Sequence, residues 1–158
     1  MLSSKAKYAL RATLALAEEV AGNRWTSSFE IAEREAIPRK FLEAILVQLR
    51  DQGLIESRRG PNGGHRLAIP AAELSVADII RIMDGPLALT PCASRTRFRA
   101  CEDCVDIRVC RLRHLMQRVR DAAATVLEGC SVDELVRAPK PRAGVAGPVR
   151  RRTSVTRG

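Results

Sequence analysis

At 158 residues, with 46% apolar but only 3% aromatic side chains, the chain suffices for one domain whose core is built from Leu, Ile, Val and Ala. Its net charge of +9 sits mainly at one end: residues 137–158 hold seven basic and no acidic side chains, against 20 basic and 18 acidic in the preceding 136 residues. Binding of a polyanion therefore has to be argued from local clusters, not from the overall charge.

Ser3 or Ser4 caps a first predicted helix, Lys5 to about Val20, whose apolar rows are Tyr8, Ala12, Ala15, Leu16 and Leu10, Leu14, Ala17. Ser27 and Glu30 form a capping box that opens a second, Ser28 to Arg34 or Glu35, carrying Phe29, Ile31 and Ala32. Pro38 suits the first position of a third helix running to about Gln52, with Phe41, Leu42, Ile45, Leu46 and Leu49 as its buried stripe and Gly53 as its stop. Two short helices joined by a few residues predict a helix-turn-helix, whose second helix meets base edges with its N-terminal residues. Arg39, Lys40, Glu43 and Ala44 lie on that side. From these residues alone, an ordinary helix pair with a solvated charged face fits equally well.

The next segment favours the DNA reading. An apolar start (Leu54, Ile55), a turn (Gly60-Pro61-Asn62-Gly63-Gly64) and an alternating return (His65, Leu67, Ile69) predict a two-stranded hairpin, or wing. Arg58, Arg59 and Arg66 flank its tip, and Gly63 and Gly64 would let backbone approach a phosphate closely. His65 reads as a packing or phosphate-contact residue. Helix-turn-helix plus basic wing predicts a winged helix.

Pro70 breaks the return strand, and Ser75 with Asp78 caps a fourth helix that turns Val76, Ile79, Ile80 and Met83 inward and ends at Asp84-Gly85-Pro86. A cysteine loop follows. From about Leu112 to Glu128, the positions Leu112, Leu115, Met116, Val119, Ala122, Ala123 and Val126 recur at three- and four-residue steps, the seam of a helix that pairs with a second copy. Packing on its own domain is the other reading of that seam. Ser131 and Glu134 cap a last turn, Val132 to Arg137, and residues 138–158 are predicted to be a disordered basic tail.

The loop holds Cys92, Cys101, Cys104 and Cys110, spaced C-x8-C-x2-C-x5-C. No apolar run in the chain approaches the ~20 residues that span a bilayer, and the N-terminus lacks a small-residue cleavage site. A cytoplasmic protein with reduced thiols and no membrane partner is expected, and clustered cysteines there more often bind metal than pair as disulfides. Thiolate selects zinc, copper(I) or iron–sulfur clusters. Zinc sites usually show two close pairs, whereas only Cys101 and Cys104 form one here; the wide outer gaps fit an iron–sulfur loop at least as well. Arg95, Arg97, Arg99, Arg108, Arg111 and Arg113 surround the loop and would favour thiolate. Structural zinc, or a thiol switch without metal, are the alternatives. Cys130 stands apart and reads as a small packed residue. No phosphate-binding loop, nucleophile elbow or paired-histidine zinc motif is present, so an enzyme is not expected.

Three stretches, LSSKAKYALRATLALA, IPRKFLEAILVQLRDQGLIESRRGPNGGHRLA and ELSVADIIRIMDGP, together with the cysteine loop, make about residues 2–136 resemble the Rrf-two winged-helix transcription regulators. That family includes iron–sulfur, nitric-oxide and iron-responsive repressors of the IscR, NsrR and RirA kind. The resemblance implies a mainly α fold: a winged helix-turn-helix with a two-stranded wing, a cysteine loop and a long dimerisation helix. The expected parts are 1–90 (DNA binding), 91–111 (cluster loop), 112–137 (dimerisation) and 138–158 (tail). It further implies a homodimer on a double-stranded operator, with Arg39, Lys40 and Glu43 at the base-reading edge and Arg59 in the minor groove. Cys92, Cys104 and Cys110 match the family's three loop ligands best, with Cys101 or His114 as the fourth ligand of a 2Fe–2S or 4Fe–4S cluster. A protein-interaction module that binds a metabolic enzyme is the remaining alternative.

Overall fold

Three helices of this chain start on reciprocal capping boxes, Ser27 with Glu30, Ser75 with Asp78 and Ser131 with Glu134, and each box satisfies two amide donors that the first turn leaves open. The structure is a computed structural model that describes residues 2–19 and 24–139. In chain order it contains α1 (Ser4–Glu18), α2 (Ser28–Glu35), α3 (Arg39–Asp51), β1 (Ile55–Arg58), β2 (Gly64–Leu67), α4 (Val76–Asp84), a 3-10 turn (Pro91–Ala93), α5 (Arg111–Glu128) and α6 (Val132–Arg137). Ser3 caps α1 by accepting from the Ala6 amide at 3.0 Å and also binds the Asp84 carboxylate, which ties the start of α1 to the end of α4.

The core forms around α1. Its small residues Ala6, Ala9 and Ala12 are fully buried, and they let α3, α4 and α6 approach closely. Leu16, Ile31, Leu42, Ile45, Leu46, Leu49, Ile79 and Val132 fill the space between these helices. Each such side chain contributes roughly 1.5–3 kcal/mol by leaving water. The α3 stripe is Leu42, Ile45, Leu46 and Leu49; Phe41 does not join it. One position round the helix from Leu42, Phe41 is 53% exposed and meets Tyr8 edge-on, with centroids 6.3 Å apart. Pro38 serves as the residue before the first turn of α3 and not as its first helical position. The predicted residue Val20 and the tail from residue 140 lie outside the described residues.

The wing is an antiparallel ribbon in the register Ile55↔Leu67, Glu56↔Arg66, Ser57↔His65, Arg58↔Gly64. Its root is apolar and its tip polar. A third backbone segment, unpredicted, joins it: Thr26 donates to His65 O at 3.0 Å and accepts from the His65 amide at 2.8 Å. The lead-in to α2 is therefore hydrogen-bonded to the wing. At the other side of the body α4 and α6 start together, with Val76 N donating to Cys130 O (3.0 Å) and Val132 N to Leu74 O (2.9 Å).

Helix α5 differs from the rest. None of its residues is buried, and it rests against α4 and the 3-10 turn. Among the described residues, no helix is long and apolar enough to cross a membrane.

Candidate nucleic-acid interface and cysteine loop

The exposed face at the start of α3 carries Arg39, Lys40 and Glu43, as the helix-turn-helix reading requires. Arg39 and Glu43 are paired, Nε to Oε1 at 3.2 Å, one turn apart. Such an exposed pair is worth only a few tenths of a kcal/mol, so it orients both side chains without locking either. A cleft of about 260 Å³ between α3 and the wing brings Glu43, Arg58, Arg59 and His65 to one place, with Arg50 beside them. Four of the sequence-predicted contact residues therefore share one concave surface.

The wing tip is built by its own chain. Arg58 Nη2 donates to Asn62 O at 2.6 Å and closes the turn. A Cβ on Gly63 would lie 2.3 Å from Arg58 O, and one on Gly64 only 2.6 Å from Thr26 O, in a backbone with φ +150°. Both glycines are thus required by the tightness of the turn and by the approach of Thr26, before any ligand is considered. Arg59 is exposed and makes no ion pair with a described residue. Arg66 pairs with Glu56 across the ribbon at 2.8 Å, and the indole of Trp25 has both Arg58 (5.0 Å) and Arg66 (4.6 Å) over its ring. His65 is half-buried, and Ser57 Oγ lies 2.8 Å from its Nδ1. Burial, helped by the charge of Arg50, holds the imidazole below its ordinary range, so it is neutral near pH 7.

The four loop thiols sit in unlike surroundings. Cys92, in the 3-10 turn, is only 6% exposed, Cys101 is exposed, and Cys104 and Cys110 are half-buried. Cys110 has a second role that its spacing does not reveal: it precedes α5, and its Sγ accepts from the Arg113 amide at 3.4 Å. The Thr90 hydroxyl, 3.4 Å from Cys92 Sγ, is the first cause that draws the Cys92 thiol below its ordinary range. Cys101 and the Arg113 guanidinium act in the same direction. The Cys101 thiol is pushed the opposite way, first by its interaction with Cys92 and then by burial. Of the arginines expected around the loop, Arg113 acts on Cys92, whereas Arg95 is paired with Asp121 at 2.9 Å and Arg108 with Asp106 at 3.2 Å.

Among the described residues, no three His, Cys, Asp or Glu side chains are arranged to hold a metal ion. The structure brings Cys92 and Cys101 together, and Cys101 near Cys104, but does not gather all four thiols at single-ion spacing. As a donor set they still suit a soft metal or an iron–sulfur cluster, which spans more space than one ion.

Two arginines missing from the sequence reading as structural links fasten the 3-10 turn to α5. Arg113 Nε donates to Cys92 O at 3.0 Å, and Arg120 Nη1 donates to Ala93 O. Arg120 is itself held by Asp121, at 2.6 Å from Nη2, and that ion pair keeps the Asp121 carboxyl below its ordinary range. Seven residues apart, the two arginines lie on one face of α5, two turns from each other. At the far end of the helix, Glu128 pairs with Arg81 of α4.

Similarity to known proteins agrees with this arrangement. An rrf2-like helix-turn-helix-type transcriptional regulator of Rhodobacter capsulatus is 35% identical over 145 residues, covering 90% of this chain and 97% of that protein. The helix-turn-helix-type regulator IscR of Cereibacter sphaeroides is 41% identical over 85 residues, 52% of this chain and 54% of its own length. Among solved structures, CymR, the global cysteine regulator of B. subtilis, superposes with a TM-score of 0.69 at 29% identity, covering 86% of this chain and 95% of its own. IscR of T. potens does so with 0.69 at 25% identity, covering 94% and 93%. These relatives are transcriptional regulators and not enzymes. The Rrf2 family profile, described as that of an iron-dependent transcriptional regulator, matches residues 2–138, and with a winged helix of the same architecture the chain belongs to this family of DNA-binding transcription regulators.

Proposed function

We propose that the chain is a homodimeric repressor whose cysteine loop senses iron–sulfur status, redox state or nitric oxide and adjusts the spacing of two DNA readers. In this reading Arg39, Lys40 and Glu43 read base edges, Arg59 enters the minor groove, and Arg58, Gly63, Gly64 and His65 shape the wing beside it. The single observation that carries it is the pair of links from α5 to the Cys92 turn, Arg113 to Cys92 O and Arg120 to Ala93 O. A change of state at Cys92 alters the backbone that these arginines grip, and α5 is the helix that would carry the second copy.

Its seam residues Leu112, Leu115 and Val126 are 60%, 50% and 69% exposed, which supports pairing with a second copy in place of packing on the body. Two copies would meet a pseudo-palindromic operator, with the half-site separation set by α5. Cys92, Cys104 and Cys110, with Cys101 or His114 as the fourth ligand, would hold an iron–sulfur cluster. Bound there, it would supply one-electron redox and ligand exchange at iron, which thiols alone do not offer.

A second reading, a thiol switch without metal, is favoured by the pairing of Cys92 with Cys101, the Thr90 hydroxyl drawing the Cys92 thiol down from its ordinary range while the Cys101 thiol beside it is pushed up. Purification without oxygen, with iron, sulfide and zinc measured per chain beside the visible spectrum, separates the two. Iron with matching sulfide and a brown colour is the expected result. Colourless protein with all five thiols free would leave the thiol switch, and zinc alone would make the loop a structural staple. The coupling itself is tested by changing Cys92, Cys104 and Cys110 together to Ala: operator binding identical to that of cluster-loaded protein would refute it.

A further inference from the structure

Trp25, the only tryptophan of the chain, belongs to no helix or strand, yet it sits against two arginines of the wing. The guanidinium carbons of Arg58 on β1 and Arg66 on β2 lie 5.0 and 4.6 Å from its ring centroid. The register explains how both reach it. Arg58 faces Gly64 and Arg66 faces Glu56, so the two arginines are diagonal neighbours on one face of the ribbon. Two like charges in that relation repel each other. The negative face of the indole, with Glu56 at 2.8 Å from Arg66, offsets that repulsion.

The indole's position is itself fixed. Thr26, the next residue, is locked to His65 by two backbone hydrogen bonds of 3.0 and 2.8 Å, and Gly64 has no side chain to obstruct this approach. Trp25 and Arg58 also line an open groove of about 470 Å³ between the start of α2 and the wing tip. A guanidinium stacked on an aromatic face keeps its in-plane N–H donors pointing outward. Arg58 spends one of its five donors on Asn62 O, which leaves others for a phosphate oxygen.

We propose that Trp25 is a positioning residue of the DNA interface, holding Arg58 and Arg66 as a preformed pair of charges that meets the phosphate backbone beside the wing. The ring reduces the ordering cost of two long side chains at binding, which is where preorganisation yields affinity. The proposal rests on the reading of the wing as a DNA contact, and its test keeps the two apart.

The probe is a duplex selected by the wild-type protein from a random-sequence library, and affinity is measured over a range of salt concentrations. R58Q/R66Q is expected to bind more weakly and, with two arginines lost from each half of the homodimer, to lower the salt slope by about four. W25A is expected to lose roughly tenfold in affinity, and W25F to lose less, because phenylalanine keeps a weaker π face. In the R58Q/R66Q background, W25A should cost nothing further. Adding the duplex to wild-type protein should change the Trp25 emission, and in R58Q/R66Q it should not. If R58Q/R66Q binds like wild type, Trp25 has no charges to position and the proposal is overturned, while R59A decides the wing reading separately: no loss there would end that reading as well. If that pair matters but the loss in W25A is absent, or adds undiminished in the R58Q/R66Q background, the wing reading stands and the Trp25 proposal is overturned. Should W25A not fold, the same cycle with W25F decides: a loss that vanishes without the arginines supports the proposal, and one that persists overturns it.

Discussion

The winged-helix body and the arm made of the 3-10 turn and α5 are held by different forces. In the body, the largest side chains with essentially no exposure, Leu16, Ile31, Leu42, Ile45, Leu46, Leu49, Ile79 and Val132, interlock between α1, α2, α3, α4 and α6. In the arm, α5 buries none of its residues, and its named attachments are polar: Arg113 to Cys92 O, Arg120 to Ala93 O and Arg81 to Glu128. Apolar interlocking resists gradual displacement, because a cavity or a clash appears with the first ångström. Hydrogen bonds at a surface are exchanged for water at a net ~0.5–1.5 kcal/mol each. The body is therefore suited to present a fixed reading surface, and the arm is suited to move.

The same substitution made in both regions gives the largest test of this contrast. Leu46→Ala in α3 leaves a cavity among fully buried neighbours and should lower folding stability by ~2–5 kcal/mol in denaturant titration. Leu115→Ala on the exposed seam of α5 should leave the stability of the isolated subunit nearly unchanged. It should instead raise the dimer dissociation constant, by about tenfold if Leu115 sits near the centre of the pairing surface. Sedimentation over a concentration series measures that shift. Equal effects of the two changes on unfolding, with no change in association, would erase the distinction between body and arm.

How far these regions could be read from the sequence follows the same division. The three capping boxes, the α3 stripe from Leu42 to Leu49 and the wing turn are local patterns, set by residues within a few positions of each other, and the structure bears them out. The attachments of the arm are not local. Arg120 reaches Ala93 across 27 positions, and on a helical wheel it looks like one more solvated charge. Its seven-residue spacing from Arg113 was the available sign, since it sets both on one face. The Thr26–His65 bridge likewise spans two separate elements and leaves no periodic signature, so the place of Trp25 at the wing was invisible. The exposure of Phe41 escapes the sequence for a simpler reason: an apolar residue one step off a helical stripe cannot be told from a member of it by spacing alone.

A smaller effect tests whether the arm transmits. Arg120→Gln removes the charge-assisted bond to Ala93 O and frees Asp121, which still has Arg95 at 2.9 Å. Folding stability should fall by ~1–3 kcal/mol, because the Arg120 side chain is only 11% exposed and Ala93 is buried, so the loop carbonyl loses a charge-assisted partner away from water. Operator affinity, measured with the loop thiols reduced and again after oxidation by hydrogen peroxide, should then differ less between the two states than in wild type. Arg120→Lys, which keeps a charged donor, should restore part of the difference. An unchanged response in Arg120→Gln would mean that α5 is not driven from the Cys92 turn through this link.

The smallest expected effect separates the regions by pH. His65 belongs to the body, and burial lowers its pKa in the folded state below its ordinary value of 6.5. As pH falls below that value the unfolded chain takes up a proton that the folded chain refuses, so stability is lost through this window and is flat above it. Glu30, held low first by the Ser27 amide, and Asp121, held low first by Arg120, contribute in a lower window, because their ordinary values are 4.5 and 3.8. Glu30 is exposed and Asp121 about half-buried, so solvent screens both and their share is small. A thermal midpoint followed from neutral pH downward should therefore fall in two steps. His65→Gln should flatten the upper step alone, since glutamine can still hydrogen-bond Ser57 without gaining a charge. An upper step that persists in His65→Gln would assign it to another group.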